Sequence, residues 1–130
     1  MTAMAEGDRP KAAIGHVTLR VQDVRRSCAF YAQLGLRRVV EKEELAILEL
    51  RGGTHLLLFR AKGKPKRGPI RSFDIMVDDA EVHRAALTTR DVPVSPLRDD
   101  SLSDHRMFEV TDPDGHVLTV LSDHTEGRPV

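Results

Sequence analysis

Apolar and polar positions follow one another in the same order twice along this chain. Ile14-Gly15-His16-Val17-Thr18-Leu19-Arg20-Val21-Gln22-Asp23 aligns without a gap on Ile70-Arg71-Ser72-Phe73-Asp74-Ile75-Met76-Val77-Asp78-Asp79, a shift of 56 positions. Each stretch reads as an apolar strand that runs into an acidic residue and then a helix. Further on, Ala29 meets Ala85 and Tyr31 meets Leu87, and Leu34-Gly35-Leu36 and Arg90-Asp91-Val92 both break into a new strand. A repeat of this length predicts a supersecondary unit that buries its apolar face only by packing on its copy.

In the first copy a strand is predicted from Ala13 to Val21. Asp23 then caps a helix with Val24, Cys28, Tyr31 and Leu34 on one face, and Gly35 ends it. Three strands follow, Arg37 to Glu43, Leu45 to Leu50 and Thr54 to Phe59, with Arg51-Gly52-Gly53 as a hairpin turn. The basic, Gly/Pro-rich segment 61–69 reads as a solvated linker. The second copy predicts a strand from Ser72 to Val77, a helix from Asp79 to Thr89 with Val82, Ala85, Ala86 and Leu87 apolar, and around Val92 to Leu97 a strand that Pro93 and Pro96 demote to an edge or a short piece. Arg106 to Thr111 and His116 to Leu121 form the closing hairpin around Asp112-Pro113-Asp114-Gly115. The fold class expected is α+β, with two βαβββ modules, about 13–60 and 70–123, forming one domain over 1–130. Eight strands in two curved four-stranded sheets that face each other, with the helices outside, would enclose a cavity.

Composition narrows the function. Apolar residues are 40% of 130, with no Trp and few aromatics, so the core is aliphatic. Twenty basic and twenty acidic residues give no net charge, which argues against nucleic acid and membrane surfaces as partners. No apolar run reaches the roughly 18 residues of a membrane span and the N-terminus lacks a leader pattern, so a cytoplasmic location is expected. The lone cysteine, Cys28, falls on the apolar helix face and reads as a buried, inert thiol.

This layout, with Gly15-His16-Val17-Thr18-Leu19-Arg20-Val21, Ala29-Phe30-Tyr31, Leu34-Gly35-Leu36 and Asp112-Pro113-Asp114-Gly115-His116, resembles the vicinal oxygen chelate superfamily over most of residues 13–123. That superfamily includes glyoxalases, extradiol dioxygenases and the fosfomycin- and bleomycin-resistance proteins. The resemblance implies a homodimer. In metal-dependent members it implies one metal ligand on the first and one on the last strand of each module. Those four positions fall here on His16, Leu57, Ser72 and Thr119. Only His16 is a good ligand, since leucine has no donor atom and a neutral hydroxyl is a poor ligand for Zn²⁺, Ni²⁺ or Fe²⁺. No cofactor is therefore expected. A displaced set of His16, His55 and Asp74 would require each ligand to shift along its strand.

Strand alternation puts Thr18 and Arg20 on the face of His16, Asp74 and Met76 on that of Ser72, and His55 on that of Leu57. With Val117 and Leu121 as apolar walls, the expected ligand-binding set is His16, Thr18, Arg20, His55, Leu57, Ser72, Asp74, Met76 and Thr119. Asp74, if it enters an apolar cup, needs a partner, and Arg20 is on the right side to supply it. His116 should point outward, His83 and His124 should be solvated, and His105 belongs either to the cavity mouth or to a surface charge cluster with Asp104 and Arg106. The first functional expectation is a metal-free binder of a small organic molecule. The second is an enzyme, with His16 and Asp74 as candidate catalytic residues or with Zn, Ni, Mn or Fe held through His16. It would be a glyoxalase-like lyase or isomerase, or an extradiol dioxygenase. The third is an interaction subunit whose cup is filled by a dimer partner.

Overall fold

The computed structural model describes residues 9–100 and 105–123. Its first unit runs β1 (His16–Val21), α1 (Val24–Gln33), β2 (Arg37–Glu41), β3 (Leu45–Glu49) and β4 (His55–Arg60), and the strands lie in the order β1-β4-β3-β2. β1 and β4 are parallel, and the other neighbours are antiparallel. A parallel pair needs a long crossover, which α1 and the β2-β3 hairpin supply. The Asp23 carboxylate accepts from the Arg26 N–H at 3.1 Å and so satisfies one of the free donors of the first helical turn. Val24, Cys28, Tyr31 and Leu34 are all buried, as their spacing predicts. Between β3 and β4 the chain turns through Gly52 and Gly53 at φ +82° and +91°, a region that side chains with a Cβ rarely adopt.

The second unit runs β5 (Gly68–Pro69), β6 (Ile75–Val77), α2 (Ala80–Thr88), β7 (Arg98–Asp100), β8 (His105–Thr111) and β9 (His116–Ser122). Its sheet order is β5-β9-β8-β7, with β6 also paired to β9. The expected strand from Ser72 to Val77 is thus broken. Pro69 pairs with Val117 and Ile75 with Val120, so the first strand spends more residues than β9 between the two pairings and its surplus, including Ser72, leaves the sheet. Pro69 is tolerated because β5 is at the sheet edge and its neighbours Gly68 and Ile70 make the donations, to Gly115 and Val117, so the chain departs after Ile70. The linker correspondingly ends at Arg67, because Gly68 and Pro69 already belong to the sheet. The strand expected over Val92 to Leu97 shrinks to a single bridge, Val94 to Val110, beside two prolines that cannot donate. The true edge strand, β7, forms in the polar stretch after it. These two differences make nine strands among the described residues, in sheets of four and five, where eight were expected.

The two units share one hydrophobic core. Leu19, Val21, Ala46, Leu48, Leu56 and Leu58 face α1, while Ile75, Val77, Phe108, Val110, Leu118 and Val120 line the second sheet. α2 packs on β8 and β9 with Ala80 and Leu87 as its fully buried residues. Val82, Ala85 and Ala86, expected on its apolar face, are exposed, and Val82 is 65% accessible. α1 is not simply an outer layer either, for it reaches the second unit. Its Tyr31 hydroxyl donates to Asp112, and the Gln33 carbonyl accepts from Arg90.

Candidate functional site

Strand alternation leaves one face of the first sheet clear of α1, and the strand register arranges that face in three cross-strand rows. The outermost joins His16, His55, Glu49 and Arg37, the middle one Thr18, Leu57, Ile47 and Val40, and the third Arg20, Phe59 and Leu45. His16, Thr18 and Arg20 are exposed, whereas His55, Leu57, Ile47, Phe59 and Leu45 are half-buried. The His16 and His55 rings lie 6.2 Å apart and tilted. His55 Nε2 is 3.7 Å from Glu49, whose other oxygen accepts from Arg37 at 2.8 Å. At the far end the Arg20 guanidinium lies 5.1 Å above the Phe59 ring. The face is therefore an apolar strip with imidazoles along one edge and a cation along the other, which suits a flat or amphiphilic molecule.

On the second sheet the corresponding face carries Val117, Thr119 and Leu121, with Met76 and Met107 both paired to Leu121. Met76 is 44% exposed. Ser72 lies in the break between β5 and β6, and Asp74 is exposed at its end. The pairing expected between Asp74 and Arg20 is not among the ion pairs of the described residues. An exposed carboxylate needs no partner, and Arg20 sits on Phe59 instead. The structure therefore brings His16, Thr18, Arg20, His55 and Leu57 together on one sheet and Met76 and Thr119 on the other.

The metal positions can be tested on the same geometry. Val21 faces Arg60 and Val77 faces Ser122, each just before a capped helix, and the offset between those partners also relates Leu57 to Thr119. The register is consistent with the alignment that the resemblance implies, and of His16, Leu57, Ser72 and Thr119 only His16 carries a strong donor for a divalent ion. Nor does the displaced set form. His16 and His55 are neighbours, yet among the described residues no three His, Cys, Asp or Glu side chains are placed to hold a metal.

The richest polar cluster was not foreseen. His116, expected to point outward, is only 4% exposed. Alternation does turn it away from Thr119, but that side of β9 is the buried one. One oxygen of the buried Asp112 carboxylate accepts from Tyr31 at 2.6 Å and faces His116 Nδ1 at 2.8 Å. The other accepts from the Asp114 and His116 N–H groups, both at 2.9 Å. Asp114 in turn accepts from the Gln22 N–H and the Arg26 guanidinium. Burial, and then the neighbouring Asp112 carboxylate, push the Tyr31 phenol far above its ordinary range. The available signal was a turn with three ionisable side chains, Asp-x-Asp-x-His, alongside the chain's lone tyrosine on a buried helix face.

The remaining candidates play smaller parts. Cys28 is buried, and desolvation raises its thiol further, as an inert core cysteine requires. His83, expected to be solvated, is partly covered and its Nε2 is buried without a partner, since α2 carries it against Gly35. His105 opens β8, though its side chain, like Asp104 and His124, lies outside the described residues. No helix among the described residues is long and apolar enough to cross a membrane.

Comparison with known proteins agrees with this architecture. The family profile described as Glyoxalase/Bleomycin resistance protein/Dioxygenase superfamily matches residues 13–120. Solved structures with the same fold include a superfamily member from Sphaerobacter thermophilus (20% identity, TM-score 0.73, 86% of this chain and 98% of that one). Another is the lactoylglutathione lyase from Agrobacterium tumefaciens (21% identity, TM-score 0.71, 92% and 98%). A third is TnmS3, an antibiotic binding protein from Streptomyces sp. CB03234 (18% identity, TM-score 0.71, 88% and 98%). No curated protein matches the sequence.

Proposed function

Because the chain belongs to the Glyoxalase/Bleomycin resistance protein/Dioxygenase superfamily, a fold shared by metal enzymes and binding proteins, we propose that it binds a small organic molecule on its open sheet faces without the full metal site. One observation carries this reading. The position of the last-strand ligand is Leu57, in the middle of a half-buried apolar strip edged by His16, His55 and Arg20. A ligand with a flat apolar body and polar ends would cover Leu57, Ile47 and Phe59 and accept hydrogen bonds from the edges. That TnmS3, an antibiotic binding protein, has this fold shows the fold to be compatible with holding a small organic molecule.

A homodimer in the cytoplasm belongs to the same proposal. The strip is open in a single chain, and Ile14, Val39 and Met76 are large apolar side chains left 66%, 52% and 44% exposed. A second copy would cover such surface and turn the open faces into a closed cup. Light scattering should give twice the chain mass of 14.5 kDa.

The deciding experiment combines metal analysis of protein purified without chelator with a thermal-shift screen of planar organic molecules. Substoichiometric metal and a ligand that raises Tm, with the rise lost in Leu57→Arg, are expected. Stoichiometric Zn, Ni, Mn or Fe that is lost in His16→Ala would replace this reading with the metal-dependent lyase, isomerase or dioxygenase.

A further inference from the structure

Apart from the open strip, a cavity of about 760 Å³ lies where the linker passes the end of β1, and the charged side chains of its walls have one sign. Arg20, Lys62, Lys64, Lys66 and Arg67 line it together with His116, and no Asp or Glu does. Five of the chain's twenty cations thus converge on one concavity, although basic and acidic residues balance over the whole sequence. Among the described residues none of the five is in an ion pair, whereas Arg26, Arg37, Arg51, Arg60 and Arg106 all are. Like charges gathered on one concave surface repel one another and focus their field, and the carboxylate of Asp114 lies outside the cavity in an adjoining groove with Lys64 and Arg67.

The loop that carries four of these cations is held at both ends. The Ala61 N–H donates to Val21, and the Gly68 and Ile70 N–H groups donate to Gly115 and Val117. Gly115 leaves room for Arg67, since a Cβ there would sit 2.6 Å from the guanidinium carbon and the side chain would have to shift off the β8-β9 turn. Arg20 is held at the opposite wall by its stack on Phe59.

We propose that this cavity binds the anionic group of a small molecule, a carboxylate or a phosphate, among Arg20, Arg67 and the linker lysines. Arg20 also edges the apolar strip, so one ligand could lay its body on the strip and its anion here. That continuity rests on the function proposed above, whereas anion binding itself does not.

The test is a titration of the full chain with pyrophosphate and, separately, with citrate at constant ionic strength, following the backbone amide resonances of residues 61–70. Saturable shifts, at least about tenfold weaker in a Lys64→Glu/Lys66→Glu double variant, are expected, and the tighter probe tells phosphate from carboxylate. Both lysines are exposed, so the variant should fold, with an unchanged Tm as the check. Shifts that never saturate, or that are the same in the variant, would overturn the proposal. Leu57→Gln, which adds no charge beside Thr18 and Arg20 on the cavity wall, separates the two readings. It should abolish binding of an uncharged planar ligand while leaving the pyrophosphate shifts intact, and loss of those shifts together with the planar ligand would mean that no separate anion site exists.

Discussion

At the scale of single residues, Asp112 organises more of the molecule than any residue in the candidate cup. Its carboxylate is buried and is tolerated there because four groups from the helix and its own turn approach it. Tyr31→Phe removes one strong donor and leaves the rest, so a loss of about 1.5–3 kcal/mol in denaturant unfolding at neutral pH is expected. The same tyrosine sets a pH dependence. Its folded pKa lies above the ordinary value of about 10, so below that pH both states keep the proton and its contribution is whole. Above it the unfolded chain releases the proton that the folded chain retains, and stability should fall by up to about 1.4 kcal/mol per pH unit. Since this is the only tyrosine, phenolate absorbance in the folded state reads it directly, and the Phe variant should lack its part of the slope. Neither the carboxylate's burial nor the approach of His116 could be read from the chain. Alternation says which side of a strand a residue occupies, and only packing says whether that side is wet.

At the scale of elements, the first unit follows its sequence closely because each signal there is local. A cap, an apolar helix face and a Gly-Gly turn act over a few residues, and α1 and β4 appear within a residue or two of the expected ends, while β1 starts three residues late and ends as expected. The second unit departs from expectation where the chain leaves and rejoins its sheet. The surplus residues between Ile70 and Ile75 leave the first strand, and beside Pro93 and Pro96 a single bridge stands in place of a longer strand. The β8-β9 turn depends on Gly115 at φ +85°, and its Cβ-less surface seats Arg67. Gly115→Ala should therefore cost about 1–2 kcal/mol for the left-handed backbone. It should also displace Arg67 and weaken pyrophosphate binding, two effects that unfolding curves and the titration read separately.

At the scale of the whole molecule, the two units are joined by polar latches as well as by the shared core. Asp114 holds Gln22 and Arg26, Asp112 holds Tyr31, and Arg51 bridges to Asp78 and Asp123. The strip around Leu57 stays open in this arrangement, so Leu57→Arg should leave the unfolding midpoint of the chain within about 0.5 kcal/mol of the parent, as for a surface change, while abolishing the ligand-induced rise in Tm. The sequence by itself determined the α+β class, the succession of elements in the first unit and the helix caps, because periodicity and turn chemistry act locally. Tertiary structure alone decided that Asp74 is exposed and apart from Arg20, that Ser72 leaves its sheet, and that the Asp112 turn is a buried junction. It also gathered the linker's cations and Arg20 around one cavity. Burial and convergence depend on residues distant in the chain, and no local pattern encodes them.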